Sequence, residues 1–441
     1  MKRGLPILLI CLCVPRADAA TLRVPKDYPT INAGLGAAAP GDSVLVAAGT
    51  YSDYEVRVLH GGGPFTASSV AFLKAGVSLI AEAGRDATRI DLKGQGEGSA
   101  VPVMAYGLEP GTILVQGFTI TGAPLGSTGM WSRFMDRMII RSCRLEGLDG
   151  GTTHPGGLYS ETVALEIHDT EFRDCRIEGG PYREAAIHHV EGDVVLDGCL
   201  FADCVGPDIV DLDALGLSPP FNAAVTNCEF RNNIGLAARL EQFIDLTVED
   251  CRFIGNHPVA NTSALVVFCG QGVNEPMPYH IRRNLFAGNE SALGWGTVYW
   301  DRASGVFEHN TLVGNGAHGL ILSYMASQQV TVQNNIFARM LGGEAVVLGS
   351  PSSPAPVPSC NDFWENASGN IDGFSPGITD VFVDPQFCDR KAESYTLSLS
   401  SPCAPPQSGA CDLIGAFGVG CHGLAVEPET WARIKTMFRG D

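Results

Sequence analysis

The sequence predicts an all-β fold: a right-handed parallel β-helix solenoid with a short N-terminal helix cap and a loop-rich, Cys-containing C-terminal cap. Three observations predict it. A short apolar pattern recurs about every 26 residues, its local period is two, and no unit offers an amphipathic helix. Charged residues make up only 17% of the chain while glycine reaches 53, the composition of a turn-rich β protein and not of a disordered one.

Each unit has an apolar residue, two variable residues, a small or Asn/Cys anchor, one variable residue, then Phe or Leu. Ile140, Cys143 and Leu145 make one copy; Val248, Cys251 and Phe253 another; Val332, Asn335 and Phe337 a third. The anchors stand at 118, 143, 170, 199, 228, 251, 284, 310, 335 and 361, with Phe118 in the first slot. Tandem units with loops of unequal length are a solenoid. Their β-branched and aromatic residues make the units strands, which excludes leucine-rich and helical repeats.

Coils stacked at the strand spacing of about 4.8 Å place equivalent residues over one another. One column then reads Cys143, Thr170, Cys199, Cys228, Cys251, Asn284, Asn310, Asn335 and Asn361. A second reads Cys175, Cys204, Asn233, Asn256, Asn289 and Asn315. Asn amides can bond along such a column, and Cys fills the slot as a small apolar residue. The columns hold free buried thiols, the favoured expectation, or a cross-coil disulfide such as Cys175 with Cys204.

Lys2 and Arg3, the apolar run 5–14 and the small-x-small set Ala17-Asp18-Ala19 read as a bacterial-type signal peptide over 1–19. A lipidated Cys11 is disfavoured, because Leu8-Leu9-Ile10 lacks the small residues such a site needs. The β-helix domain then spans 20–421, with a C-terminal tail over 422–441. Loss of Lys2, Arg3, Arg16 and Asp18 takes the formal charge from −19 to −21. So acidic a chain is a poor partner for nucleic acid or anionic membranes. No later run reaches the ~18 apolar residues of a membrane helix. Of 14 Cys, all but Cys11 and Cys13 outlast cleavage, an even number suited to a secreted or cell-envelope protein.

A solenoid exposes its core at the ends unless capped. At the N-terminus a strand precedes a short helix starting near Pro29–Thr30, then a turn at Pro40-Gly41-Asp42 and a strand over 43–47. Here Val24-Pro25-Lys26-Asp27-Tyr28-Pro29-Thr30-Ile31, Pro40-Gly41-Asp42 and Gly49-Thr50-Tyr51 resemble the opening of pectin-lyase-like β-helix proteins. Gly76-Val77-Ser78-Leu79-Ile80 and Gly117-Phe118-Thr119-Ile120 resemble their early coils. The resemblance covers 21–421. It implies a secreted bacterial β-helix without naming an activity, since that superfamily holds lyases, hydrolases, esterases, epimerases and non-catalytic surface proteins. Asp384-Pro385-Gln386-Phe387-Cys388, Ser401-Pro402-Cys403 and Leu413-Ile414-Gly415-Ala416-Phe417-Gly418 resemble the tail of secreted β-helix proteins. Among Cys388, Cys403, Cys411 and Cys421 at least one disulfide is expected, most simply Cys403 with Cys411.

β-helix enzymes carry their sites on the outer face of one sheet. The strands at 157–161, 186–191, 208–213, 237–241, 265–269, 297–302 and 320–324 leave a polar stripe across neighbouring coils. Its candidate catalytic residues are Asp211, Asp213, Arg239, Glu241 and Asp301; its candidate substrate-binding residues are His188, His189, Tyr299 and Trp300. Carboxylates there would serve acid–base chemistry or Ca²⁺ ligation, Arg would hold an anionic group, and aromatics would stack on sugars. Loops at 150–157 (with His154), 217–222 and 270–278 would wall the stripe. The bland alternative is a solvated sheet face with cross-strand ion pairs.

His188 and His189 lack a third metal ligand at useful spacing, so a zinc site is not expected and Ca²⁺ is the one cofactor left open. Ala317-His318-Gly319 lacks the partner carboxylates of polygalacturonase-like enzymes. Arg433-Ile434-Lys435 falls in the tail, and the absence of Lys between Lys93 and Lys391 excludes a lysine-dependent lyase in the middle coils. The expectation is an exported monomer that binds or processes extracellular polysaccharide. Its alternative is a non-catalytic envelope or surface protein.

Overall fold

The computed structural model describes residues 19–60, 63–107, 110–214, 221–258, 262–269, 277–290, 295–323, 330–350 and 355–421. The leader (but for Ala19), most of the loops 217–222 and 270–278, and the tail 422–441 lie outside these residues.

Each coil begins with a local backbone constraint. The residue before most anchors is left-handed: Ser142, Asp169, Asn227, Asp250, Arg283, His309, Asn334 and Cys360 have φ from 47° to 57°. So sharp a turn aims backbone groups inward, where burial makes an unpaired donor or acceptor costly. The anchor side chain pairs them. Asn310 Nδ2 donates to Ile281 O at 2.9 Å and to Asn335 Oδ1 at 3.1 Å, while its Oδ1 accepts the Asn284 amide at 3.0 Å. The ladder continues to Asn361, whose amide donates at 2.8 Å to Asp380 Oδ1. Where Cys replaces Asn, its thiol uses the equivalent carbonyl: Cys228 Sγ meets Leu196 O at 3.6 Å and Cys251 Sγ meets Val225 O at 3.3 Å.

The turns separate three parallel sheets of 13, 12 and 12 strands that run the length of the chain. The first holds the strands before the anchors, such as Arg137–Arg141; the second those after them, such as Arg144–Glu146. The third holds the strands after the second Asn/Cys column, such as Leu158–Glu161. An antiparallel hairpin of Glu55–His60 and Pro64–Ser69 stands beside the early coils. Phe172, Phe201, Phe230, Phe253 and Phe286 stack through the interior at 4.7–5.1 Å. Each fully buried Phe contributes roughly 1.5–3 kcal/mol of transfer free energy, against roughly 0–1 kcal/mol for an exposed ion pair. The interior therefore holds the coils together.

Both ends are closed. The helix Ile31–Ala37 is capped by Thr30, whose hydroxyl accepts the Ala33 amide at 3.1 Å, and buries Ile31 and Leu35 against the first coil. At the C-terminus the expected Cys403–Cys411 pairing is wrong. The disulfides are Cys360–Cys411 and Cys388–Cys421. Cys403 is fully buried with Sγ 3.4 Å from Asp362 Oδ2, whereas Cys360 occupies a left-handed turn on the last coil, within a Cα distance of 5.4 Å of Cys411. Eight cysteines, those of both columns together with Cys269 and Cys403, are buried free thiols. Among the described residues no helix is long and apolar enough to cross a membrane.

Candidate active site on the third sheet

Side chains two apart on a strand share a face, so pairing register decides what meets on the third sheet. Its outer face carries Trp131, Tyr159, His188, Asp211, Arg239, Val266 and Tyr299 in one column. The adjacent column carries Arg133, Glu161, Val190, Asp213, Glu241, Phe268 and Asp301.

The N-terminal end of the face is aromatic. Ring centroids lie 6.3 Å apart for Tyr106 and Trp131, 5.6 Å for Trp131 and Tyr159, and 5.4 Å for Tyr159 and His188. Tyr182 and His154 add rings from the loops, Tyr182 at 5.2 Å from His188 and His154 at 5.6 Å from Trp131. Arg133 meets Glu161 at 2.7 Å, and the Tyr159 hydroxyl donates to the same carboxylate. Burial and then Glu161 push the Tyr159 pKa up.

The aromatic row runs into a cluster of charge. Two neighbouring strands, Glu184–Val190 and Val205–Asp213, each carry a register shift ahead of their regular pairing. Such bulges re-aim side chains, and here they stack Glu184 on Asp208 beside His188 and Asp211. Asp208 is 1% exposed and is held by Arg183 Nε and Arg239 Nη2, each at 3.3 Å. Arg239 also reaches Glu241 Oε1 at 3.1 Å. His188 Nδ1 lies 3.3 Å from Glu184 Oε2 but off the line of a hydrogen bond.

These surroundings drive the carboxyl groups apart. Burial works against ionisation of Glu184, but His188 and the Arg183 amide, which donates at 2.9 Å, outweigh it and hold its pKa below the ordinary value. Burial raises Asp208 despite its two arginines. Asp211 is pushed well above the carboxylate range, by burial first and by the Glu184 charge second. Burial also opposes the Arg239 charge, but Asp208, Asp211 and Glu241 push its pKa up. The Oδ1 atom of Asp211 is buried without a hydrogen-bond partner.

Of the residues expected from sequence, His188, Asp211, Arg239 and Glu241 come together, with Asp213 one column over and bonded by Gln242 Nε2 at 3.1 Å. Asp301 and Tyr299 stand apart: the strand Leu265–Phe268 puts Val266 and Phe268 between them and the cluster, a gap of about 10 Å at two strand spacings. There burial raises the Asp301 pKa to about 6, and Tyr299 bonds to Ser323 Oγ at 2.9 Å. His189 and Trp300 require correction. Both are fully buried on the inner face. His189 Nδ1 meets Ser160 Oγ at 3.2 Å, and Trp300 Nε1 donates to Ala303 O at 2.9 Å, so neither can touch a ligand outside.

Sequence reasoning missed Glu184, Asp208, Arg183, Trp131, Tyr159 and Tyr182. A bulge puts Asp208 out of step with Asp211, whereas Glu184 shares the parity of His188 and lies ahead of the strand bounds 186–191 expected from sequence. Tyr159 and Trp131 lay one and two coils upstream of His188, legible had the alternation been followed back, and Tyr182 comes from a loop.

Glu184, His188 and Asp211 each bring a ligand atom within 4.8 Å of the others, the one such triplet among the described residues. Ca²⁺ takes six to eight oxygens, and an imidazole donor suits it poorly. A mixed nitrogen and oxygen set fits a first-row transition ion better.

No protein-family model matches the chain, and no curated protein matches it. Solved structures share its architecture. A pectate lyase, Pel9A, aligns over 92% of this chain and 97% of its own at 13% identity, with a TM-score of 0.42. The catalytic domain of a GH87 alpha-1,3-glucanase in complex with nigerose aligns over 83% and 68% at 10% identity and TM-score 0.38. The Streptococcus pneumoniae surface protein and adhesin PfbA aligns over 77% and 92% at 10% identity and TM-score 0.32. Likeness at this level reflects stacked coils and says nothing of chemistry.

Proposed function

We propose that this protein binds a polysaccharide across its coils, along the outer face of the third sheet, and acts on it at the Glu184, Asp208, Asp211 and Arg239 cluster. One observation carries the proposal: an aromatic row runs rung by rung, in register, into buried carboxylates of unlike pKa. Rings are the common platform for sugars, and carboxyl groups held in unlike states are what acid–base chemistry on a glycosidic chain requires. The two disulfides fit work outside the cytoplasm, in keeping with the leader read from the sequence.

The internal pairs Arg133–Glu161 and Arg239–Asp208 favour the alternative, a non-catalytic interaction face. Against it stands the buried, unpartnered Asp211 oxygen. A face built only for solvent would pair or expose that atom. The test is incubation of the purified chain with neutral and acidic polysaccharides, scoring retention and products. The double variant W131A/Y159A should weaken retention at least tenfold, and D211N should abolish product while retaining binding. Binding without product from any polymer would establish the non-catalytic alternative, and absence of both would overturn the saccharide proposal.

A further inference from the structure

We propose that Glu184, His188 and Asp211 form a binding site for one divalent first-row transition ion of the Zn²⁺ class, with coordination positions left open to the outer face. The donor atoms converge within 4.8 Å of one another. That spread suits a metal bound at the roughly 2.0–2.2 Å of Zn–N and Zn–O bonds. Two donor atoms make no hydrogen bond: Asp211 Oδ1 and His188 Nδ1 are both buried, the latter facing Glu184 Oε2 at 3.3 Å. Native folds rarely leave such atoms unsatisfied.

Charge points the same way. Four carboxylates, Glu184, Asp208, Asp211 and Glu241, face two guanidinium groups, those of Arg183 and Arg239. Both arginines are bonded to Asp208, and Arg239 also to Glu241, so neither guanidinium is bonded to Glu184 or Asp211 among the described residues. A divalent ion supplies the missing charge. The donors are also held in place. His188 is stacked on Tyr159 and edged by Tyr182, and Glu184 Oε2 accepts the Arg183 amide at 2.9 Å. Such outer contacts orient metal ligands and tune their basicity.

The sequence hides this set because its members come from two coils, joined by a bulge and by stacking, and not from a spaced motif. Three protein ligands are the number found at zinc sites that keep a position for water or substrate. Binding of the ion stands on the geometry alone; only its action on a sugar rests on the function proposed above.

The test uses tag-free full chain, stripped with a chelator and titrated calorimetrically with Zn²⁺, Mn²⁺, Ca²⁺ and Mg²⁺. One equivalent of Zn²⁺ or Mn²⁺ should bind and raise the melting temperature, with Ca²⁺ failing to compete. H188A and D211N should each weaken binding by more than the roughly 10–100-fold lost when an outer-shell partner is removed. H257A, which removes an exposed His–Glu pair elsewhere, should bind as the parent does. Circular dichroism identifies any variant that fails to fold, in which case H188Q replaces H188A. Cobalt substitution gives a second readout, a visible absorption band lost in H188A. Zero equivalents bound, unchanged binding in both variants, or preference for Ca²⁺ would overturn the site. Metal bound with no polysaccharide retained would leave the site standing and sink only the saccharide proposal. Polysaccharide retained by a chain that takes no metal would do the reverse.

Discussion

Cys251 and Asn284 hold the same position on successive coils, and the Cys251 amide donates to Asn284 Oδ1 at 2.9 Å. The first anchor column changes character at this point, from thiols below to amides above. An Asn rung makes three strong bonds where a Cys rung makes weak ones, so the two halves of the column stabilise the turns to different degrees.

Replacing Asn310 with Ala removes the partners of Ile281 O and the Asn284 amide, both buried, while Asn335 Oδ1 keeps the Asn310 backbone amide at 2.9 Å. The expected loss is about 2–4 kcal/mol, from buried groups left unsatisfied. Cys228→Ala at the equivalent slot should cost about 1 kcal/mol, since it removes a small apolar group with a weak donor. Urea unfolding followed by circular dichroism measures both. Equal costs would mean that the amide ladder adds nothing beyond filling space.

Arg239→Met leaves Asp208 with Arg183 alone and Glu241 without its 3.1 Å partner. Breaking so buried a pair should cost roughly 3–5 kcal/mol. Arg133→Met, whose partner Glu161 is more exposed than Asp208 and keeps the Tyr159 hydroxyl, should cost about 1 kcal/mol or less. Melting temperatures of the two variants rank them; a loss for Arg133→Met as large as that for Arg239→Met would show that burial does not set the difference.

Asp362 is fully buried beneath the C-terminal cap, and burial raises its pKa to about 7. An acid whose folded pKa is raised keeps its proton in the native state after the unfolded chain has lost it. Stability should therefore fall as pH rises from about 4 to about 7, by roughly 4 kcal/mol, and then level off. D362N should flatten that slope and stabilise the protein at pH 8. A parent chain whose urea midpoint does not move between pH 4 and pH 8 would contradict this.

Cys360–Cys411 closes 51 residues between the last anchored turn and the cap. Chain-entropy arguments give such a loop about 4 kcal/mol. C360A/C411A should lose hydrogen-exchange protection across 355–421 while strands such as Arg252–Ile254 keep theirs. Uniform loss along the whole chain would show that the cap unfolds together with the coils.

The coil repeat, both anchor columns and the third-sheet strands were legible because each rests on a local signal: a left-handed turn, an anchor, and alternation of period two. The stripe of His188, Asp211, Arg239 and Glu241 followed from alternation carried across coils. Two failures came within regular alternation and two beyond it. His189 and Trp300 are next-door neighbours of outward residues, and one step along a strand turns a side chain into the core. Glu184 and Asp208 sit beyond bulges, and nothing in the local residue pattern marks a register shift in a neighbouring strand. Cys360 escaped the disulfide expectation because it lies within the repeat and not in the tail, although the fold carries it to the tail's edge.

Eight interior thiols share a molecule with two disulfides, which imposes an order on maturation. Any oxidant able to seal the cap can also reach Cys175 and Cys204, or Cys199 and Cys228, for as long as the coils remain open. The wound coils must shut those sulfurs away first, so that only the rim pairs are left to be joined. Assembly speed, and not the number of cysteines, then decides which sulfurs end up bonded.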